Sequence, residues 1–244
     1  MCPTSESRPI EIGPGDRVFV LTGAGVSAES GLPTFRDNGG LWNGYRVEDV
    51  ATPEAWNEDA ERVWRFYSMR RRDALSCQPN AAHFALAELE RELGERFFLC
   101  TQNVDPLHER AGSKRLIHMH GELFRSRCER CRREDFADDG IYENEADIPR
   151  CACGARIRPH IVWFGEIPLE MDRIFEELGR ATVLVVVGSS GTVHPAASFV
   201  QWARRAGART IYIGPERPLN AEMFSDVVLG KAGEVLPALF SVSK

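Results

Sequence analysis

Short apolar runs rich in β-branched residues recur along the chain, separated by amphipathic and turn-rich stretches. Arg17-Val-Phe-Val-Leu-Thr22, Arg96-Phe-Phe-Leu-Cys-Thr101 and Thr182-Val-Leu-Val-Val-Val187 are continuous rather than alternating, which predicts strands buried on both faces. Shorter runs at Leu116 to His120, Thr210 to Ile213 and Val227 to Leu229 continue the series. In the first of these, side-chain alternation puts His118 and His120 on one side of a strand. Between strands, Thr52-Pro53-Glu54 has the chemistry of a helix start: a hydroxyl to cap, a proline with the φ of a first turn, and an acid for the dipole. The helix it opens carries Trp56, Ala60, Val63, Tyr67, Arg70 and Ala74 on one face, and Arg70 breaks an otherwise apolar stripe. A second helix is predicted from Asn80 to Leu93, stopped by Gly94.

Strands alternating with helices predict an α/β fold: a Rossmann-like, mostly parallel sheet with helices on both faces. A charged, turn-rich stretch from Cys128 to Pro159 interrupts the pattern and reads as a small module. The apolar core is expected to resume at His160-Ile-Val-Trp-Phe-Gly165.

Behind the first strand, Gly23, Gly25 and Ala28 fit the G-x-G-x-x-G/A dinucleotide pattern in its required place between strand and helix. A dehydrogenase would run on to a second strand ending in an acid about twenty residues later. Here Gly31 and Pro33 stop the helix, and Glu48 and Asp49 fall outside any strand-like context. The predicted nucleotide cradle leads instead into a loop carrying Phe35, Arg36 and Asp37, which suits a reaction other than hydride transfer. Gly188-Ser189-Ser190-Gly191 makes a second strand-to-helix junction. Close helix packing explains that turn equally well, but the two junctions together suit a ligand as long as a dinucleotide.

Cys128-x-x-Cys131 and Cys151-x-Cys153, with nineteen residues between the pairs, supply four thiolates. That set matches one structural zinc and leaves no open position for a catalytic metal. Cys2, Cys77 and Cys100 read as ordinary thiols, and the usage fits a reducing compartment rather than a disulfide framework. The formal charge of −6 speaks against direct nucleic-acid binding. No apolar run approaches the roughly 20 residues that span a bilayer, and the N-terminus carries no targeting pattern, so no membrane association and a cytoplasmic location are expected. Any of the 6 histidines has the intrinsic pKa of a neutral-pH base. Spacing alone does not separate His118 from His120.

The glycine loop, Thr101-Gln-Asn-Val-Asp-Pro-Leu-His108, His120-Gly121, the paired cysteines and Trp163-Phe-Gly-Glu166, in that order, resemble the sirtuins, the NAD-dependent protein-lysine deacylases. The likeness runs from about Arg17 to about Leu239, and Tyr67-x-x-Arg70 resembles the class III subgroup, which favours succinyl and malonyl groups. It implies one catalytic domain, 1-244, with Rossmann-like core segments 10-44, 95-125 and 160-244, a helical insertion 45-94 and a zinc module 126-159.

By this resemblance NAD is a co-substrate. Gly23, Ala24, Gly25, Ala28, Phe35, Arg36, Gln102, Asn103 and Asp105 would surround it, with Gly188, Ser189 and Ser190 against its adenosine half. Gly214, Pro215, Glu216 and Ala232 would add backbone contacts; many sirtuins have an asparagine where this chain has Gly214. His120 would be the general base, with Asn103 and Asp105 in the catalytic set. The acyl-lysine oxygen attacks the nicotinamide ribose, nicotinamide leaves, and lysine and O-acyl-ADP-ribose result. Val162, Trp163, Phe164 and Gly165 would take the acyl-lysine protein as an added strand. Tyr67 and Arg70 would meet an acyl carboxylate. Mono-ADP-ribosyl transfer and a non-catalytic NAD-sensing module remain alternatives, and Asn103, Asp105 and His120 speak against the latter.

Overall fold

The computed structural model describes residues 9–33, 41–42, 44–131 and 134–243. Phe35, Arg36 and Asp37 lie outside the described residues. In chain order the first elements are β1 (Ile10–Ile12), β2 (Val18–Thr22), β3 (Leu41–Trp42), β4 (Tyr45–Arg46), α1 (Val47–Val50), α2 (Pro53–Glu58), α3 (Ala60–Ser76) and α4 (Ala81–Leu93). Next come β5 (Phe97–Thr101), α5 (Leu107–Ala111), β6 (Leu116–His118), β7 (Gly121–Cys128), β8 (Phe136–Ala137) and β9 (Ile157–Ile161). The last are α6 (Met171–Arg180), β10 (Val183–Val187), α7 (Phe199–Arg205), β11 (Arg209–Gly214), β12 (Asp226–Leu229), α8 (Ala232–Leu239) and β13 (Phe240–Val242).

The three continuous apolar runs become β2, β5 and β10, buried along their whole length. They are the middle of a six-stranded sheet in the order β12-β11-β10-β2-β5-β6, parallel at every pair. Alternate side chains serve opposite faces. Val18 and Val20 pack with Leu86 and Leu93 of α4 and Leu236 of α8, whereas Phe19 and Leu21 pack with Ile174 of α6 and Phe199 of α7. The predicted doubly covered sheet is therefore the observed one. The pairing of β1 with β13 was not legible, because two three-residue strands carry too little periodicity.

A third core lies off the sheet. Trp56, Val63, Trp64, Phe66 and Tyr67 of α2 and α3 pack with Leu123 of β7, Ile161 and Trp163. β8, β7 and β9 form a separate antiparallel sheet beside it.

Three expectations need correcting. The helix begun at Thr52 breaks at Asp59 (φ −150°, ψ 81°), whose carboxylate accepts from Arg62 N at 2.8 Å and caps a fresh helix. Trp56 therefore stands on α2 and the rest of the stripe on α3. β6 ends at His118, so His120 lies in the turn beyond it, where strand alternation no longer applies. The run from His160 to Gly165 does not rejoin the main sheet. Its strand part, β9, pairs with β7, and Trp163 feeds the third core.

Candidate active site

Register brings the site together. Ile213, Val187, Thr22, Thr101 and His118 are successive partners across the sheet and mark one level near the carboxyl ends of its strands. One residue further on lie Gly214, Gly188, Gly23 and Gln102, and His120 is two beyond His118.

The two glycine junctions touch each other. Gly25 N donates to Gly188 O at 2.9 Å, and Gly23 N to Val187 O at 3.0 Å. A Cβ on Gly25 would stand 2.8 Å from Gly188 Cα, so backbone meets backbone with no room for a side chain. Gly188 itself sits at φ +59°, a conformation open to glycine. Gln102 Nε2 bridges to Ser189 Oγ at 2.9 Å. Ala24 is half-buried and Ala28 exposed on two short turns ended by Gly31 at φ +91°. Ala232 begins α8 beside them, where Gly233 N donates to Glu29 at 2.7 Å. Gly214 is buried and Pro215 and Glu216 are exposed. Its lack of a side chain has a local cause: a Cβ there would lie 2.8 Å from Tyr212 Cζ.

Around Asn103 and Asp105 the polar groups are interlocked. Asn103 Nδ2 donates to Ser27 Oγ at 3.0 Å, and Ser27 Oγ donates to Asp105 Oδ2 at 3.2 Å. Asp105 is buried, which raises its pKa despite hydrogen bonds from Leu107 N and Ser27 and the charges of Arg70 and His118. His83 completes the cluster. Its Nδ1 accepts from Asn80 N at 3.2 Å, so the proton is on Nε2, 3.5 Å from Ser27 Oγ. Ser27 and His83 were given no role from the sequence. The Asn80-x-x-His83 capping box was the available signal.

Geometry separates the two histidines that spacing left equivalent. His118 is buried with both ring nitrogens engaged, by Asn103 O at 2.7 Å and Glu109 Oε1 at 2.6 Å. His120 is half-buried and makes one bond, from Nδ1 to Gln102 O at 3.1 Å. A carbonyl only accepts, so Nδ1 carries the hydrogen and Nε2 presents a lone pair. Burial lowers the His120 pKa, and the Gln102 bond opposes this only in part. A neutral imidazole with Nε2 bare is the form that takes a proton.

Arg70 and Asp105 line one cleft with Leu32, Pro33, Asp73, Ala74 and Leu123. Burial lowers the Arg70 pKa, while Tyr67, Asp105 and Asp73 hold its charge. Tyr67 is fully buried, which lifts its phenol to about 12. Its oxygen accepts from Trp163 Nε1 at 3.1 Å, leaving its own hydrogen to donate. Trp163 is fixed in turn. Its backbone N–H meets Glu166 at 2.9 Å, Arg158 grips Glu166 at 2.7 and 2.9 Å, and the Arg158 guanidinium lies 3.3 Å over the indole. Val162 N and Phe164 N are bonded to His120 O and Ala51 O. Among the described residues this leaves Gly165 N and the carbonyls of Val162 and Phe164 without a partner.

The four cysteines converge as their spacing predicted. Their sulfurs lie within 4.8 Å of one another, with Cys128 to Cys153 at 3.5 Å and Cys131 to Cys151 at 3.6 Å. Four Zn–S bonds of about 2.3 Å at tetrahedral angles put sulfurs about 3.8 Å apart, so the set fits one zinc ion with no further position. Burial pushes the Cys128 thiol up, but N–H groups of Cys131 and Arg130, both at 3.4 Å, and the neighbouring thiols bring it down to about 6, toward the thiolate a metal needs.

The Sir2 family profile matches residues 23–195. The chain belongs to the Sir2 family. A Shewanella oneidensis protein named NAD-dependent protein deacylase is 49% identical over 228 residues, covering 91% of this chain and 92% of the relative. One of the same name from Caulobacter vibrioides is 50% identical over 225 residues, covering 91% and 94%. Among solved structures, a mutant Sir2 homologue with ADP-ribose superposes with TM-score 0.85 at 44% identity, covering 91% of this chain and 89% of that one. A Sir2 homologue–NAD complex gives TM-score 0.84 at 45% identity, covering 91% and 87%. A Sir2 complex with a p53 peptide and NAD⁺ gives TM-score 0.78 at 30% identity, covering 89% of each chain. Among the described residues of this sirtuin, no helix is long and apolar enough to cross a membrane.

Proposed function

We propose that this sirtuin is an NAD-dependent protein-lysine deacylase that favours short acidic acyl groups, succinyl and malonyl, and also removes acetyl. The observation that carries the acyl preference is the cleft shared by Arg70 and Asp105. It sets a guanidinium beside the polar cluster proposed to face the nicotinamide ribose. A carboxylate at the end of the acyl chain gains charge-assisted hydrogen bonds from Arg70, and Tyr67 has a phenolic hydrogen to add.

In this reading NAD lies along the strand ends, from Asn103 and Asp105 across the paired glycine junctions to Gly214 and the start of α8. Phe35 and Arg36 belong to the same set. His120 accepts the proton of a ribose hydroxyl at Nε2. The substrate chain docks as an added strand on Val162 to Gly165, using the carbonyls and the Gly165 N–H left open there. Zinc, held by Cys128, Cys131, Cys151 and Cys153, supplies folding energy rather than chemistry.

The test is a steady-state comparison of acetyl-, malonyl- and succinyl-lysine peptides with NAD. The acidic groups are expected to be favoured roughly ten- to a hundredfold in kcat/KM, the equivalent of about 1.5 to 3 kcal/mol. Tyr67→Phe with Arg70→Met should abolish desuccinylation and spare deacetylation. Equal loss of both activities would make the pair structural.

A further inference from the structure

We propose that His118 is a doubly donating imidazolium that holds the turn carrying Asn103 and Asp105, a positioning residue separate from the proton acceptor two residues later. β6 delivers His118 into the space between that turn and α5. Its Nδ1 stands 2.7 Å from the Asn103 carbonyl oxygen and its Nε2 2.6 Å from Glu109 Oε1. A carbonyl and a carboxylate both accept and neither donates, so each bond requires a hydrogen on the ring nitrogen. A ring with both hydrogens is a cation.

Its surroundings keep it so. Burial pushes the proton off, but the hydrogen bond and charge of Glu109 and the bond to Asn103 outweigh it, and the pKa lies above the ordinary histidine value. Glu122 on β7 adds negative charge, and Asp105 in the turn is close enough to feel the cation. His108 on α5 also faces it and is held well below its usual pKa by burial, so it adds no competing charge.

Glu109, His118 and Glu122 also have the composition of a cation site, with ligand atoms within 4.8 Å of one another. The 2.6 Å contact decides against that. Donors bonded to one ion at about 2.1 Å lie about 3 Å apart even at right angles, whereas 2.6 Å is a short charge-assisted hydrogen bond.

The clamp is linked to the site. The bond to Asn103 O fixes the backbone from which Asn103 Nδ2 reaches Ser27, and Ser27 reaches Asp105. A neutral His118 has one ring hydrogen and must give up one of its two bonds. Two histidines two residues apart thus carry opposite protonation, set by environment.

Nitrogen-15 NMR of the histidine rings in the full-length, zinc-loaded protein tests the protonation state directly. At pH 7.5 both His118 nitrogens are expected to be protonated, and Glu109→Gln should lower its titration midpoint by roughly one to two pH units. A bare ring nitrogen on His118 at pH 7.5 would overturn the assignment. The kinetic arm rests on the deacylase reading and uses Glu109→Gln, which touches neither the glycine junctions nor the acyl cleft. The alkaline limb of kcat/KM for NAD should move to lower pH by a similar amount, while a merely structural residue would lower the rate equally at every pH. A limb that stays in place refutes the positioning role. Absence of all deacylation refutes the functional reading and leaves the NMR result to decide the imidazolium.

Discussion

His83 and His108 meet edge to face with ring centroids 4.8 Å apart, both fully buried beside Ser27 and Thr22. Burial lowers His83 to about 4 and His108 well below its ordinary value. Both are neutral in the folded protein at pH 7. The unfolded chain takes up a proton near 6.5 and the folded one only near the depressed value, so the unfolded state binds more protons between. These two rings leave stability unaffected above about pH 6.5 and lower it as pH drops toward 4, by roughly 3 kcal/mol for His83 alone. Thermal melts between pH 7.5 and 4.5 check this. In His83→Gln, whose amide can still cap Asn80 N but does not titrate, the fall should be shallower. The sequence supplied these histidines without telling them apart. His120 and His118 differ because one carbonyl and one carboxylate lie where the turn and α5 bring them.

α3 divides a run of three arginines among three fates. Each residue advances about 100° around a helix, so neighbours face different surroundings. Arg70 lines the cleft, and Arg72 is exposed and pairs with Glu143 at 2.5 Å. Arg71 has no exposed surface and spans to the small module, donating to Leu123 O at 2.8 Å, Gly140 O at 2.5 Å, Ser126 Oγ at 3.2 Å and Asp138 at 3.3 Å. These bonds hold α3 against β7 and so fix the helix that presents Tyr67 and Arg70. Arg71→Met should destabilise the fold by about 3 to 5 kcal/mol, because the half-buried Asp138 carboxylate keeps its bonds from Ser126, Gly140 and Tyr142 but loses the guanidinium that offsets its charge. Adding Asp138→Asn should recover part of the loss. Urea unfolding of both variants measures the coupling, and simple additivity would refute the pair. Sequence pattern by itself gives Arg71 no structural role. Its burial depends on a strand more than fifty residues away, which helical periodicity does not contain.

The third core ties the helical insertion to the zinc-binding module: Trp56, Trp64 and Tyr67 share it with Ile148, and Tyr142 packs against it. A zinc ion on the four cysteines would therefore be coupled through packing to the cleft lined by Arg70. Chelation, or Cys151→Ser, should lower the melting temperature by roughly 10 °C or more and abolish deacylation, with recovery of the chelated protein on adding zinc. An unchanged melt after metal removal would show that the module folds without it.

The sequence by itself determined the parallel sheet, the glycine junctions, the four-cysteine set and the family, because each is written in local periodicity or in fixed spacing. Tertiary structure alone decided which histidine keeps a bare nitrogen, that Arg71 is buried, that Asp59 splits a helix, and that β9 belongs to the module. Apart from the Asp59 cap, which is made locally to Arg62, the physical reason is common to them. Protonation, burial and strand partnership depend on the groups that packing brings near from distant parts of the chain, and local pattern carries no record of them.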